Sequence, residues 1–443
     1  MTTSARKIGP VLATFVVANN MIGSGFFLLP ASLARSGAVT AISWFIATLL
    51  AVVLGGAFAR LARDYPNLES PDDYVRPALG RDASFIATTM YWVSSWIGNN
   101  AIAVAAFGYL VMLLPFDGSQ PSVQVGGQIA LIWLMFALNL LGPRPIARFQ
   151  SFCVVFGLLP VAVVLTFGWA SFDTSIYQTA WNTTGAEWNL DKPERVSDLS
   201  LVFTSLAPIF WAFVGLETGT MVAGVVRNPA RNVPIATIGG VLIAGTVYLI
   251  ASVLVMGIVP AQELSESSAP FALVAGRIFG EWAIPLIAAA AALKATGTLG
   301  GWMLVTGESG ARAAQRGFLP AIFGRFTARG AAGWGLFIVA LSMSALALLT
   351  LAPTVSSQFE TIIEVVVMLV VLAYAAAGLS LLVGTRDRPP SGTDRLLGLG
   401  ALIACALLLA SYPLATLASG AGVVIAAWVL FRLFGSRAAP VRH

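Results

Sequence analysis

One interrupted apolar run limits what this chain can be more than any other feature. From about Pro10 to Leu33 the residues are almost all apolar, enough to cross a bilayer as helix. The middle of that run, however, reads Asn20-Met21-Ile22-Gly23-Ser24-Gly25, and asparagine, glycine and serine are poor helix-interior residues. In hydrocarbon a broken helix strands amide N–H and C=O groups, which is tolerated only where the backbone lines a cavity or is buried in protein. The break exposes a helix N-terminus that favours an anion, beside carbonyls that favour a cation. A zwitterion offers both charges a short distance apart. The same small residues also let helices approach closely, so this stretch alone leaves binding and packing both open.

A second stretch decides between them. Trp211-Ala212-Phe213-Val214-Gly215-Leu216-Glu217-Thr218-Gly219 lies in another apolar run, again with glycines in mid-span and now with a carboxylic acid. Two interrupted helices in corresponding positions of two halves are the sequence mark of a transporter's midplane site.

The rest of the chain fits that environment. Of 443 residues, 58% are hydrophobic and only 10% charged, where soluble domains carry roughly a quarter charged. Span-length apolar runs centre near Met21, Leu50, Ile97, Leu134, Val161, Phe210, Leu249, Thr296, Ala345, Leu369, Leu407 and Ile425. Twelve transmembrane helices in an all-α integral membrane protein are expected, with no separate soluble domain. The first run has no small-residue cleavage site after it and reads as a retained helix.

A pI of 9.5 suggests nucleic acid until the basic residues are placed. With the N-terminus inside, every Lys and Arg except Arg35, Lys192, Arg195, Arg277 and Lys294 falls in the N-terminus, the C-terminal tail or a connection on that same side. That asymmetry is the positive-inside rule, so the charge encodes topology, with both termini cytoplasmic and no nucleic-acid partner. Cys153 and Cys405 lie in apolar runs without paired spacing and read as inert core residues. The one histidine is His443, which excludes histidine metal sites, triads and relays within a span. Neither a metal nor an organic cofactor is expected, and no HExxH or GxSxG signature suggests an enzyme.

Polar groups inside the other spans are the remaining candidates. Ser95 and Asn99, four apart, share a helical face continued by Ile102, with Ser94 beside them. Such groups suit hydrogen bonds to a substrate side chain, or equally to a neighbouring helix. Lys294, Thr298 and Trp302 form another stripe spaced by four, and a Trp flanked by glycines offers a face to a cation. The tenth span carries Phe359, Glu360 and Glu364, with Tyr374 further in. Intramembrane ionisable groups are costly and functional by default. Lys294 and Glu364 are expected to neutralise each other as an intramembrane charge pair.

Four pieces in order resemble the amino acid–polyamine–organocation superfamily. They are Gly23-Ser24-Gly25-Phe26-Phe27-Leu28-Leu29-Pro30, Trp96-Ile97-Gly98-Asn99, Arg227-Asn228-Pro229 through Gly240, and Leu299-Gly300-Gly301-Trp302. Within it the chain resembles the bacterial arginine/agmatine antiporters and their lysine/cadaverine and ornithine/putrescine relatives. The resemblance implies a single transporter domain of LeuT-like fold. Two inverted five-helix repeats, about 10–170 and 198–384, would have broken helices 1 and 6, with two further helices at about 394–434. It further implies a homodimer in the bacterial inner membrane, exchanging a cationic amino acid, arginine first, for its decarboxylated amine without sodium.

Family roles fall on matching positions. The backbone of Ser24 and Gly25 would hold the substrate carboxylate, and the carbonyls of Met21, Trp211 and Val214 the α-ammonium. Asn20, Ile22, Ser94, Ser95, Asn99, Ile102, Trp302 and Val366 would complete the substrate pocket. Tyr91, Trp211, Glu217, Phe359 and Tyr374 would gate it, Glu217 sensing protons. Three departures stand out: the first-half cytoplasmic motif, a Gly-Gly-Ser-Tyr-type stretch in the family, reads Glu69-Ser70-Pro71-Asp72-Asp73-Tyr74 here, Val366 replaces a family serine that touches the guanidinium, and Lys294 replaces a small residue. An alternative reading is therefore an exchanger or permease for a neutral amino acid, with Lys294 as a fixed cation.

Overall fold

The computed structural model describes residues 7–65, 74–115, 118, 120–221, 226–352 and 354–434. The variant first-half segment Glu69–Asp73 lies outside them. The first interrupted run becomes two helices, α1 (Pro10–Met21) and α2 (Ser24–Ala34), bent by 46° at a two-residue break. Then follow α3 (Thr40–Asp64), α4 (Val75–Leu110), α5 (Pro121–Asn139), α6 (Pro143–Phe167) and a short α7 (Thr174–Thr179). The second interrupted run is α8 (Asp198–Thr204), α9 (Leu206–Phe210), a 3-10 turn at Trp211–Phe213, unwound backbone, and α10 (Thr218–Met221). The remainder is α11 (Pro229–Met256), α12 (Ala261–Glu266), α13 (Pro270–Phe279), α14 (Ala283–Gln315), α15 (Gly333–Leu349), α16 (Val355–Val383), α17 (Gly392–Ala410) and α18 (Leu414–Phe434).

The protein is an all-helical membrane protein. Among the described residues the one β pairing is an isolated bridge between Ile8 and Val226. Each of the twelve apolar centres lies in a helix. Nine described helices are long and apolar enough to span a bilayer, or up to ten with the bent α1–α2 pair counted as one. The chain supplies the breaks where the residues demand them. At Gly215 the backbone takes φ +109°, a region in which only glycine rests without strain.

Packing is heaviest within two sets of helices. In one, α1 and α3 lie against α11; in the other, α4 lies against α14 and α16, and α6 against α14. Close approach uses small residues: Val17 packs on Gly240, and Cys153 and Lys294 pack on Gly297 and Gly157. Both cysteines are free and buried. The connection before α8 is folded: Asn182 Nδ2 donates to Asp198 Oδ1 at 2.6 Å and to the Val196 carbonyl at 3.0 Å.

Candidate functional site

The two breaks face a cavity of about 40 Å³ at the junction of α1, α2, α4, α14, α16 and the unwound segment. It is lined by Asn20, Met21, Gly23, Ser24, Gly25, Tyr91, Ser94, Ser95, Gly98, Asn99, Ile102, Trp211, Val214, Thr298, Trp302, Val366 and Val370. Every substrate residue inferred from sequence is there except Ile22, whose N–H instead caps α1 on the Ala18 carbonyl at 2.9 Å. Gly23, Gly98, Thr298 and Val370 join the wall without having been singled out for it. Two of these carried a signal: Thr298 is the middle of the Lys294–Trp302 stripe, and Val370 lies one turn beyond Val366.

One end of the cavity presents donors. The first N–H groups of α2 have no partner within the helix, and Gly23, Ser24 and Gly25 border the space they open on. Around the second break most carbonyls are engaged. Tyr248 donates to the Ala212 carbonyl at 3.0 Å, the Trp211 carbonyl accepts from Val214 N–H at 3.1 Å, and the Gly215 carbonyl accepts from Thr218. A carbonyl has two lone pairs, so Trp211 keeps one.

The α4 wall presents acceptors. Ser94 Oγ donates to the Tyr91 carbonyl and Ser95 Oγ to the Trp92 carbonyl, each at 2.8 Å, which spends both hydroxyl hydrogens on the helix itself. Asn99 Nδ2 donates to Thr306 Oγ1 at 3.1 Å, while buried Asn99 Oδ1 has no protein partner. Ser95 Oγ also accepts from Thr306 Oγ1 at 3.2 Å, so what the two serines keep is oxygen lone pairs, the complement of an N–H-rich group. On the opposite side the Trp302 ring lies over Gly215, close enough that a Cβ there would sit 3.2 Å from Trp302 Cζ2.

The cavity has a lid and a floor of different chemistry. Trp211 is wedged between Gly25 and Gly98, where added Cβ atoms would lie 2.9 and 3.0 Å from its ring. Phe359, fully buried, meets it edge-on at 6.4 Å. The floor is polar. Fully buried Glu217 accepts from Tyr91 OH at 2.8 Å, from Gly215 N–H at 3.1 Å, and from Tyr374 OH. Phe58 packs edge-on against the Tyr374 ring at 4.9 Å.

The intramembrane charges do not meet. Lys294, 1% exposed, donates to Thr298 Oγ1 at 3.0 Å and packs against Gly157 of α6. Glu364 borders a separate outer cavity of about 580 Å³ with Glu360, Lys192 and Tyr412, and its carbonyl accepts from Tyr412 OH. The expected Lys294–Glu364 pair is therefore corrected. Val366 and Val370 turn their face of α16 to the central cavity, and a residue two positions from Val366 is carried to the far side. No group of three or more metal-binding side chains occurs among the described residues.

A family model described as amino acid permease matches residues 8–436. The chain is 34% identical over 380 residues to the cadaverine/lysine antiporter of Escherichia coli K12, covering 84% of this chain and 82% of that protein. It is 32% identical over 390 residues to the putrescine transporter PotE of the same strain, covering 87% and 86%. To the putrescine transporter PotE of Haemophilus influenzae it is 31% identical over 392 residues, covering 88% of each. With the family model running almost end to end and two broken helices enclosing one cavity, the chain belongs to the amino acid permease family of the amino acid–polyamine–organocation superfamily.

Proposed function

We propose that this protein is a sodium-independent antiporter that exchanges a cationic amino acid for its decarboxylated amine by alternating access at the central cavity. The observation that carries the reading is the division of the wall: helix N–H donors at α2, and on α4 the hydroxyl oxygens of Ser94 and Ser95, with the Trp302 ring in the same lining. A carboxylate suits the first and an ammonium the second. The printed activities of the relatives, cadaverine/lysine exchange and putrescine transport, support substrates of this class.

Three pairs compete: lysine with cadaverine, ornithine with putrescine, and arginine with agmatine. Arginine leads on motif resemblance, but a guanidinium carries five donors in a rigid fork. The α16 wall offers it Val366 and Val370, which favours the compact ammonium of lysine or ornithine. The same reading includes twelve spans built as two inverted five-helix repeats, a homodimer in the inner membrane, and cytoplasmic termini. Glu217 is its proton-responsive gate residue.

A second reading, exchange of a neutral amino acid, is favoured by one observation: Lys294 sits just behind Thr298 without a carboxylate partner. Counterflow separates the two. Proteoliposomes loaded with unlabelled lysine, arginine or leucine should concentrate labelled lysine or cadaverine only when the internal substrate is cationic. Leucine counterflow without cadaverine uptake establishes the neutral reading instead.

A further inference from the structure

A cation site with an unpaired lysine behind its wall is a contradiction that the geometry lets one resolve. Thr298 Oγ1 accepts from Lys294 Nζ at 3.0 Å, donates back to the Lys294 carbonyl at 3.0 Å, and itself lines the cavity. Only one side chain thus separates the amine from whatever occupies the site. Thr298 also touches the first break, its methyl 3.2 Å from where a Cβ of Gly23 would lie.

Among the described residues, no carboxylate pairs with Lys294 to neutralise its charge. From α6, Cys153 is the titratable group that faces it, and a thiol is no fixed counter-ion. Helices α1, α2, α5 and α15 carry no titratable side chain. On α13, Arg277 is paired with Glu263, and on α4 Tyr91 is bound to Glu217 at the far end of the cavity. The other charged residues of α4 (Arg76, Arg81 and Asp82) lie in its first turns, and Glu308 and Arg312 lie beyond Trp302 on α14.

We propose that Lys294 is a charge-compensating specificity residue that gives up its proton more readily when a cationic substrate is bound than when the site is empty. The inference rests on the cation reading of the cavity. Two unit charges about 6 Å apart at an effective dielectric near 20 disfavour each other by roughly a hundredfold in binding. A lysine escapes that penalty by giving up its proton, which no fixed cation does. The balance is simple: one substrate ammonium enters, one proton leaves Nζ for the water at the cavity mouth, and neutral Nζ keeps its donor bond to Thr298. A neutral substrate leaves the proton in place.

Calorimetry of the purified full-length protein in buffers of different ionisation enthalpy tests this. Cadaverine binding should release close to one Lys294-dependent proton, and leucine none. The Lys294→Met protein should still bind cadaverine but lose that release. Lys294→Arg is the sharper variant, since a guanidinium stays charged. It should bind cadaverine roughly a hundredfold more weakly than Lys294→Met does. A merely structural lysine predicts the reverse, with arginine the better replacement. Cadaverine binding without proton release by the native protein overturns the inference and leaves the cation reading standing. Failure to bind cadaverine, lysine or agmatine while leucine binds overturns the cation reading itself.

Discussion

The lid and the floor of the central cavity close the same space by different physics. Trp211 and Phe359 close the lid by shape: an indole is slotted between Gly25 and Gly98 with an aromatic edge behind it. Glu217 closes the floor by hydrogen bonding, one buried carboxylate holding Tyr91, Tyr374 and the Gly215 N–H together. On the proposed reading, opening the lid needs the Trp211 ring to swing, and opening the floor breaks three hydrogen bonds to Glu217, each worth about 0.5–1.5 kcal/mol. It is also the element that protonation weakens, because a protonated acid trades acceptor capacity for a donor. The proposed gating therefore has substrate acting most directly on one closure and pH on the other.

The largest expected effect breaks the lid. In Gly25→Val, the first added carbon already lies 2.9 Å from Trp211 Cδ1, so the ring cannot seat and the approach to the α2 N–H groups is blocked. Transport should be lost while the protein remains folded by thermal melting; normal uptake would mean that the cavity is not the transport site. Next, Glu217→Ala should strand two tyrosine hydroxyls and one amide, at a cost of about 1–3 kcal/mol for each buried group left unpaired. A lowered melting temperature should accompany lost exchange. Glu217→Gln is the finer probe of the floor. It preserves size but presents an amide donor to hydroxyl donors, and the pH dependence of exchange should flatten. A pH profile like that of the native protein would make Glu217 only a brace for the second broken helix.

Smaller effects sharpen the description of the walls. Trp302→Leu removes the ring face opposite the acceptors, worth roughly 1–2 kcal/mol to a desolvated cation. Cadaverine should then bind about tenfold more weakly by calorimetry. Lys294→Ala and Glu364→Ala should lose exchange additively, because Glu364 borders a separate cavity while Lys294 sits behind Thr298 of the central one. A strong coupling in that double-mutant cycle would mean that they meet during transport. Ser24→Ala should change affinity by no more than about twofold, since the backbone rather than the hydroxyl faces the carboxylate.

Legibility from sequence follows the range of the signal. Both breaks are visible because Asn20 through Gly25 and Trp211 through Gly219 are local runs rich in poor helix-interior residues within otherwise apolar spans. The Ser95–Asn99–Ile102 face and the Lys294–Trp302 stripe are visible because helical spacing fixes who shares a side. The floor is not visible that way: Glu217 meets Tyr91 and Tyr374 across 126 and 157 residues, and only motif resemblance points to the cluster. The misplaced Lys294–Glu364 pair has the same cause. Periodicity orders residues around α16, but the rotation of α16 against its neighbours is set by packing, and it turns Val366 inward and Glu364 away. Ile22 matches a pocket position by resemblance, but the break turns its N–H to cap α1 and leaves it outside the cavity lining.

The central claim is that donors of α2 and acceptors of α4 divide one substrate between them. Comparing lysine, norleucine and cadaverine by calorimetry on the same preparation tests it most directly. Norleucine keeps the backbone charges and the chain but ends in a methyl group; cadaverine keeps the terminal ammonium but lacks the carboxylate. Lysine should bind at least about tenfold more tightly than norleucine, a difference of about 1.4 kcal/mol or more. Cadaverine should compete with lysine, and its affinity should not change in Ser24→Ala. Equal affinity for lysine and norleucine would contradict the claim.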